Sequence, residues 1–257
     1  MDILIIGGNR FAGKIAATQL AEQHNVTLLN RTGTGPANCN YIKCNRRHYS
    51  TLKTKLSNSV YDVIIDMCCY NDTDIKGLIA TGVVFNRYIL MSTLLVMDDS
   101  VHGKEKLTAE TYLLSRNKHI STIIRSGYIL GENNPRKRIQ YYTEMILNNE
   151  NIDVYKNGNQ PLYVTDVNDV VSVIVNAVNI EPTLTNITNV PGFNTTSNDI
   201  IKIINNGEYK HINYNQVNTP FDIPIQHMVS AHSNEKFVEM LAKLYKPIII
   251  NYHSNIL

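Results

Sequence analysis

The stretch with the clearest chemistry is Gly7-Gly8-Asn9-Arg10-Phe11-Ala12-Gly13, which follows the apolar run Ile3–Ile6 and opens a segment of helical composition. A glycine-rich turn between strand and helix lets backbone N–H groups approach a pyrophosphate, and a later glycine lets the helix pack on the strand. The helix N-terminus then sets its partial positive charge on the phosphates. The spacing is G-x-x-x-x-x-G from Gly7, with Gly8 as a second small residue and Arg10 where the G-x-x-G-x-x-G pattern has its middle glycine. By itself such a turn serves a nucleotide or is a plain strand-to-helix corner. Asn30-Arg31-Thr32, directly after the apolar run Val26–Leu29, favours the nucleotide. A carboxylate there would bind a ribose 2′-hydroxyl and repel a 2′-phosphate. An amide followed by a guanidinium attracts the phosphate, which Arg matches with two donors.

These residues point to a dinucleotide site for NADP(H), with NAD(H) as the alternative. Gly7, Gly8, Asn9, Arg10, Phe11, Gly13, Asn30, Arg31 and Thr32 are its expected binding residues. The competing reading of Arg31 is a solvated loop arginine. Asn45-Arg46-Arg47, after the next short strand, either flanks the adenine or forms a solvated turn.

The elements that must hold these residues alternate. Strands are expected at Ile3–Ile6, Val26–Leu29, Val60–Met67, Tyr88–Met91 and Thr122–Ile124, and helix-length segments lie between several of them, Lys14–Gln23 first. Strands alternating with helices imply right-handed crossovers and a doubly wound parallel α/β sheet of Rossmann type. Residues 1–131 would form this dinucleotide-binding domain, and 132–257 a small substrate-binding lobe interleaved with it. Glu132-Asn-Asn-Pro135 marks the change as a turn cluster. Beyond it, Asp169–Val178 is a strong helix, Thr196-Ser-Asn-Asp199 has the form of a capping box, and Pro220 and Pro224 break the region that follows.

Composition narrows the function classes. With 43% apolar and 18% charged residues over 257 positions, the chain can bury a core without staples. The net charge of +2 gives no case for a nucleic-acid or membrane partner. Met1 leads straight into a strand-length apolar run, so no signal peptide is expected, and no run reaches the length of a membrane span. The four cysteines, Cys39, Cys44, Cys68 and Cys69, fit neither a zinc site nor a disulfide framework, which suits free thiols in the cytoplasm.

The chain resembles the extended and atypical short-chain dehydrogenases/reductases, the NAD-dependent epimerase/dehydratase group, nearest the branch of the chloroplast stem-loop-binding proteins. Segments match in family order: GGNRFAG at 7–13, VTLLNRT at 26–32, VYDVIIDMCCY at 60–70 and RYILMST at 87–93. HGKEKLTAE at 102–110, IIRSGYILGE at 123–132, YVTDVNDVV at 163–171 and NVPGFNTTSNDII at 189–201 follow. The resemblance implies that Thr93 is the hydroxyl that meets the substrate oxygen. It makes Lys106 the lysine of the Tyr-x-x-x-Lys pair, which holds the nicotinamide ribose. The tyrosine of that pair is His102 here, and the stretch from Met97 to His102 is shorter than in typical members. Either His102 replaces the tyrosine as proton donor, since imidazole titrates near neutrality, or the pocket binds without chemistry.

Other residues have two readings each. Cys68 and Cys69 end a strand at the sheet edge where α/β ligands bind, and are buried thiols more readily than nucleophiles; Cys68 is kept as a cofactor contact. Tyr70 lines the cleft or packs. Asp98 and Asp99 are a carboxylate pair for acid/base work or an exposed turn. Asp166 is implied by the resemblance as architecture between the domains. Arg136-Lys137-Arg138 holds an anionic substrate or faces solvent.

The leading expectation is an NADP(H)-dependent oxidoreductase or epimerase-like enzyme acting on a small polar carbonyl or hydroxyl compound, with Thr93, His102 and Lys106 catalytic. The alternatives are a non-catalytic NADP(H)-binding sensor and an RNA-binding protein, the latter suggested only by the stem-loop-binding relatives. The resemblance also implies a homodimer.

Overall fold

The computed structural model describes residues 1–98, 100–116, 120–155, 157–180, 186–205, 214–217 and 232–254, with side chains for all of these except 214–217 and 250–253. Asp99, Pro220 and Pro224 lie outside the described residues. In chain order the elements begin β1 (Asp2–Ile6), α1 (Phe11–Leu20), β2 (Asn25–Asn30), β3 (Asn40–Lys43), α2 (Tyr49–Leu56), β4 (Val60–Asp66) and α3 (Asp72–Ile79). Then come β5 (Val84–Thr93), a 3-10 turn (Leu94–Met97), α4 (Val101–Leu114), β6 (Ile120–Ser126), β7 (Tyr128–Leu130), α5 (Arg138–Leu147), β8 (Ile152–Tyr155) and β9 (Leu162–Asp166). The last are α6 (Val167–Asn179), β10 (Asn186–Asn189), β11 (Phe193–Thr195), α7 (Ser197–Ile204), β12 (Tyr214–Val217) and α8 (Asn234–Ser254).

The chain divides into two compact units, Met1–Ser126 with Val167–Val190, and Gly127–Asp166 with Pro191–Leu257. The first is a seven-stranded sheet in the order β10-β6-β5-β4-β1-β2-β3, parallel throughout. This is the doubly wound α/β architecture expected from the alternating pattern. Ile3, Leu4, Ile5 and Ile6 are buried in a strand covered on both faces, which is why the run is continuously apolar. The helix α1 turns Ala12, Ala16, Ala17 and Leu20 inward, small residues that let it lie close to the sheet. Val167, Val170, Val171, Ile174 and Val178 form one stripe of α6, which packs against α1. Arg87 on β5 closes the far end of α6: its Nη1 donates to the Ile180 carbonyl (2.7 Å) and its Nη2 to that of Val178 (2.5 Å). A guanidinium there satisfies carbonyls the helix leaves open and opposes its dipole.

A second buried polar cluster ties α4 to the sheet. Ser92 Oγ donates to Glu110 Oε1 at 2.5 Å, and Arg125 pairs with the same carboxylate, which is fully buried.

The second unit has a three-stranded sheet, β11-β9-β7, and a two-stranded one, β12-β8. Its core brings Ile139, Tyr142, Leu162, Phe193, Ile201, Phe237 and Leu241 together. The expected capping box opens α7. Thr196 Oγ1 accepts from the Asp199 N–H (3.0 Å) and donates to Asp199 Oδ2 (2.7 Å). No described helix is long and apolar enough to cross a membrane.

Candidate functional site

The glycine-rich turn lies at the carboxyl end of β1, between β2 and β4. Gly7 has φ +90°, and a Cβ there would stand 3.0 Å from Cys68 Sγ, so only glycine suits both the turn and the neighbouring wall. Gly8 and Gly13 are buried behind it. Arg10 is the N-cap of α1, in extended conformation and with no side-chain hydrogen bond to the first helical turn. The first N–H groups of α1 thus have no side-chain cap, and an anion can take that place. Phe11, half-buried, has a positive φ of +47°, a strained position for a non-glycine residue.

At the end of β2 the structure separates two residues that the sequence reading had treated as joint phosphate ligands. Asn30 is buried and turned into its own loop. Its Oδ1 accepts from the Thr32 N–H (3.1 Å), Thr32 Oγ1 (2.9 Å) and the Gly33 N–H (2.7 Å), and its Nδ2 donates to the Thr34 carbonyl (2.9 Å). Asn9 Nδ2 donates to Thr32 Oγ1 (3.0 Å), so the first turn and this loop are stitched together. Asn30 therefore shapes the loop, and Arg31 stands exposed at its tip.

Beneath these loops lies a buried cluster that the sequence did not reveal. Arg46 Nη1 donates to both oxygens of Asp66 (2.6 and 2.7 Å), its Nη2 to the Asp74 carbonyl (3.0 Å), and its Nε lies 3.5 Å from Asp74 Oδ1. Tyr88 Oη donates to Asp66 Oδ2 (2.5 Å), and the Cys68 N–H to Asp66 Oδ1 (3.1 Å). Asp66 is 0% exposed and Arg46 9%. Burial alone would push the Asp66 carboxyl up. The Arg46 charge, with the hydrogen bonds from Arg46, Tyr88 and the Cys68 N–H, holds it below its ordinary value. Burial, then the Asp66 charge, push the Tyr88 phenol well above its usual range. Arg46 is thus neither an adenine flank in open contact nor a solvated turn. It is a tie between the β3–α2 corner and the end of β4.

These loops enclose a cavity of about 410 Å³. Gly7, Asn9, Arg10, Asn30, Arg31, Thr32, Asn45, Arg46 and Cys68 line it, together with Arg47 and Tyr70, whereas Gly8, Phe11, Gly13 and Lys106, also named from the sequence as cofactor contacts, do not. Arg10, Arg31 and Arg47 are exposed, and no carboxylate is among the described residues that line the cavity. Burial pushes the Cys68 thiol up to about 11, and burial likewise raises Cys69. Burial that raises a thiol disfavours the nucleophilic thiolate, so Cys68 serves as cavity wall and Cys69 as core.

Thr93, His102 and Lys106 do not line this cavity. Thr93 ends β5, and its Oγ1 accepts from the Leu95 N–H (3.2 Å), which leaves its own O–H to donate. Ser100 caps α4, and His102 lies in the first turn. Gly103 lets that turn press on the 3-10 turn: a Cβ at Gly103 would fall 1.9 Å from the Leu95 carbonyl oxygen. One turn on, Lys106 is buried and its Nζ donates to the Met91 carbonyl (2.7 Å); burial pulls its ammonium below the ordinary lysine value. The short segment between Thr93 and α4 therefore folds as one tight corner. His102 meets the cavity wall through Tyr70, ring centroids 6.3 Å apart and 66° between planes.

The second unit has its own cavity, of about 580 Å³, lined by Lys137, Arg138, Lys243, Glu132 and Gln140 among others. Arg138 is buried with its guanidinium 4.5 Å from the Tyr128 ring, whereas Arg136 is exposed and does not line it. The basic cluster of the sequence is therefore split between a cavity wall and solvent.

No protein-family model and no curated protein matches the sequence. Solved structures do. The chain is similar to the UDP-glucose 4-epimerase of Thermotoga maritima with UDP-glucose, at 17% identity over 97% of this chain and 100% of that one, TM-score 0.74. It is similar to the UDP-glucuronic acid 4-epimerase of Bacillus cereus with UDP-glucuronic acid and NAD, at 15% identity over 96% and 100%, TM-score 0.74. It is also similar to the dTDP-glucose 4,6-dehydratase of Bacillus anthracis with NAD, at 16% identity over 93% and 90%, TM-score 0.69. The order of elements, the glycine turn after β1 and these likenesses together give the chain the Rossmann-type α/β fold of these two epimerases and the dehydratase.

Proposed function

We propose that this protein is an NADP(H)-dependent oxidoreductase or epimerase-like enzyme acting on a small polar carbonyl or hydroxyl compound. The observation that carries the reading is the 410 Å³ cavity, which joins the glycine turn to three exposed arginines and to no described carboxylate. The residues fit a dinucleotide. Gly7 leaves room for a pyrophosphate, the uncapped start of α1 accepts its charge, and Asn30 fixes the loop that presents Arg31. Two of the similar structures hold NAD, which supports a nicotinamide dinucleotide; Arg31, next to the position where an NAD site favours an acidic residue, supports the phosphorylated one.

When bound, that cofactor supplies hydride transfer. The chain's own part is to bind, orient and move a proton. Thr93 keeps a free O–H for a substrate oxygen, because its lone pair is engaged by the Leu95 N–H. His102 handles the proton, since imidazole titrates near neutrality. Lys106 braces the corner through the Met91 carbonyl.

The test is selectivity. A charge-assisted bond to phosphate is worth about 1.5–3 kcal/mol, so Arg31→Ala is expected to weaken NADPH binding about 10- to 100-fold and leave NADH binding unchanged. Calorimetric titration with each cofactor reads this. Equal loss for both, or a wild type that prefers NADH, contradicts the assignment.

A further inference from the structure

Tyr70 links two parts of the site. It lines the cofactor cavity and also touches His102, which does not line it. The ring is held from two sides, with the Arg47 guanidinium 5.6 Å from its centroid and the His102 ring edge-on at 6.3 Å. Its backbone is pinned as well: the Tyr70 N–H donates to Asp74 Oδ2 (2.7 Å), and Asp74 meets the buried Arg46. Yet the side chain is 46% exposed, so its phenol is within reach of a bound ligand. A carbonyl that becomes a hydroxyl must take a proton at oxygen from a group at the cavity surface, within hydrogen-bond reach. His102 does not line the cavity, whereas Tyr70 lines it and meets the His102 ring.

We propose that Tyr70 is a catalytic residue of this site, its phenol giving the proton to the substrate oxygen and His102 restoring it. The proposal rests on the NADP(H) reading above. In the reductive direction the carbonyl carbon takes a hydride from the reduced nicotinamide, and the C=O electron pair moves onto oxygen. The oxygen takes the Tyr70 proton as the phenolic O–H bond breaks. The phenolate is then reprotonated by His102, which takes its replacement proton from water. In the oxidative direction each transfer runs in reverse.

The experiment uses the full chain, with Tyr70→Phe and His102→Gln compared against wild type. NADPH affinity is measured by calorimetry, turnover on a panel of small aldehydes and ketones, and the tyrosine Cζ resonances by carbon-13 NMR against pH. Tyr70→Phe is expected to bind NADPH as the wild type does and to lose about 10²- to 10⁴-fold in turnover, the usual contribution of a positioned general acid. The resonance that Tyr70→Phe removes is expected to show an inflection from His102, which His102→Gln abolishes, as for coupled groups. Undiminished turnover in Tyr70→Phe with NADPH bound overturns the proposal and leaves the cofactor reading standing. A Tyr70 resonance indifferent to His102→Gln also overturns it. A wild type that does not bind NADPH overturns the cofactor reading, and the proposal with it.

Discussion

Asp66→Asn is expected to destabilise the protein by about 3–5 kcal/mol, because it leaves the Arg46 guanidinium buried without its main counter-charge. The geometry makes this a severe case. Arg46 gives Asp66 two hydrogen bonds from one nitrogen, at 2.6 and 2.7 Å, with the carboxylate wholly out of water. An amide keeps the shape but turns one acceptor into a donor facing Arg46 or Tyr88. Replacing the pair together, as Asp66→Asn with Arg46→Met, is expected to recover only part of the loss, since neither charge of the pair then remains but the buried Asp74 carboxylate loses its contact with Arg46 and keeps the Tyr70 N–H. The urea midpoint at neutral pH measures both variants, and a loss below about 1 kcal/mol for Asp66→Asn, the scale of an exposed pair, would contradict the account. The same carboxyl sets a pH dependence. Its folded value is depressed, so its stabilisation is complete above the ordinary carboxyl value of about 3.9 and is lost as pH falls through the lower folded value. Asp66→Asn is expected to flatten that acid limb.

Gly103→Ala is the second large effect. Its Cβ would lie 1.9 Å from the Leu95 carbonyl oxygen and 2.6 Å from the carbonyl carbon, so backbone must move, not a side-chain tip. Overpacking of a close contact costs about 1–3 kcal/mol, and a backbone clash belongs at or above the top of that range. The displacement falls on the turn that carries His102. Turnover is therefore expected to drop while NADPH affinity, which depends on other loops, is retained. Val101→Ala is the control: Val101 is exposed on the same turn, and its truncation is expected to leave the urea midpoint unmoved. A Gly103→Ala protein as stable and as active as wild type would show that α4 does not press on the 3-10 turn as described.

The parts of the fold that hydropathy encodes were legible in the sequence. Ile3–Ile6 and Val60–Met67 read as strands because a parallel strand is buried on both faces, and they form β1 and β4. Asp169–Val178 read as a helix from its valine stripe and forms most of α6. The edge strand β3, Asn-Tyr-Ile-Lys, was expected before Asn45 but without bounds, because half of its pattern is polar and exposed. The helix α4 shows no clean apolar face, since it buries Lys106 and Glu110 along with Ala109 and Leu113.

For the candidate site, the residues on the glycine turn and after β2 could be named from the sequence because phosphate chemistry dictates their types. The residues beneath them were not. Asp66 reads as the polar end of a strand and Arg46 as a loop cation. Only the sheet order, with β4 beside β1 and β3 at the edge beyond β2, lets a side chain twenty positions earlier reach that carboxylate. Asn30 carried the right signal with the wrong contact: an amide that could meet a phosphate is held instead by three donors of its own loop.

The central claim is that the cavity beside the glycine turn holds a phosphorylated dinucleotide. A crystal structure of the full chain grown with NADP⁺ tests it most directly. The expected result places the pyrophosphate at the start of α1 and the 2′-phosphate within about 3 Å of the Arg31 guanidinium nitrogens, ordinary hydrogen-bond reach. A dinucleotide bound elsewhere, or bound here with its 2′-phosphate turned away from Arg31, would contradict it.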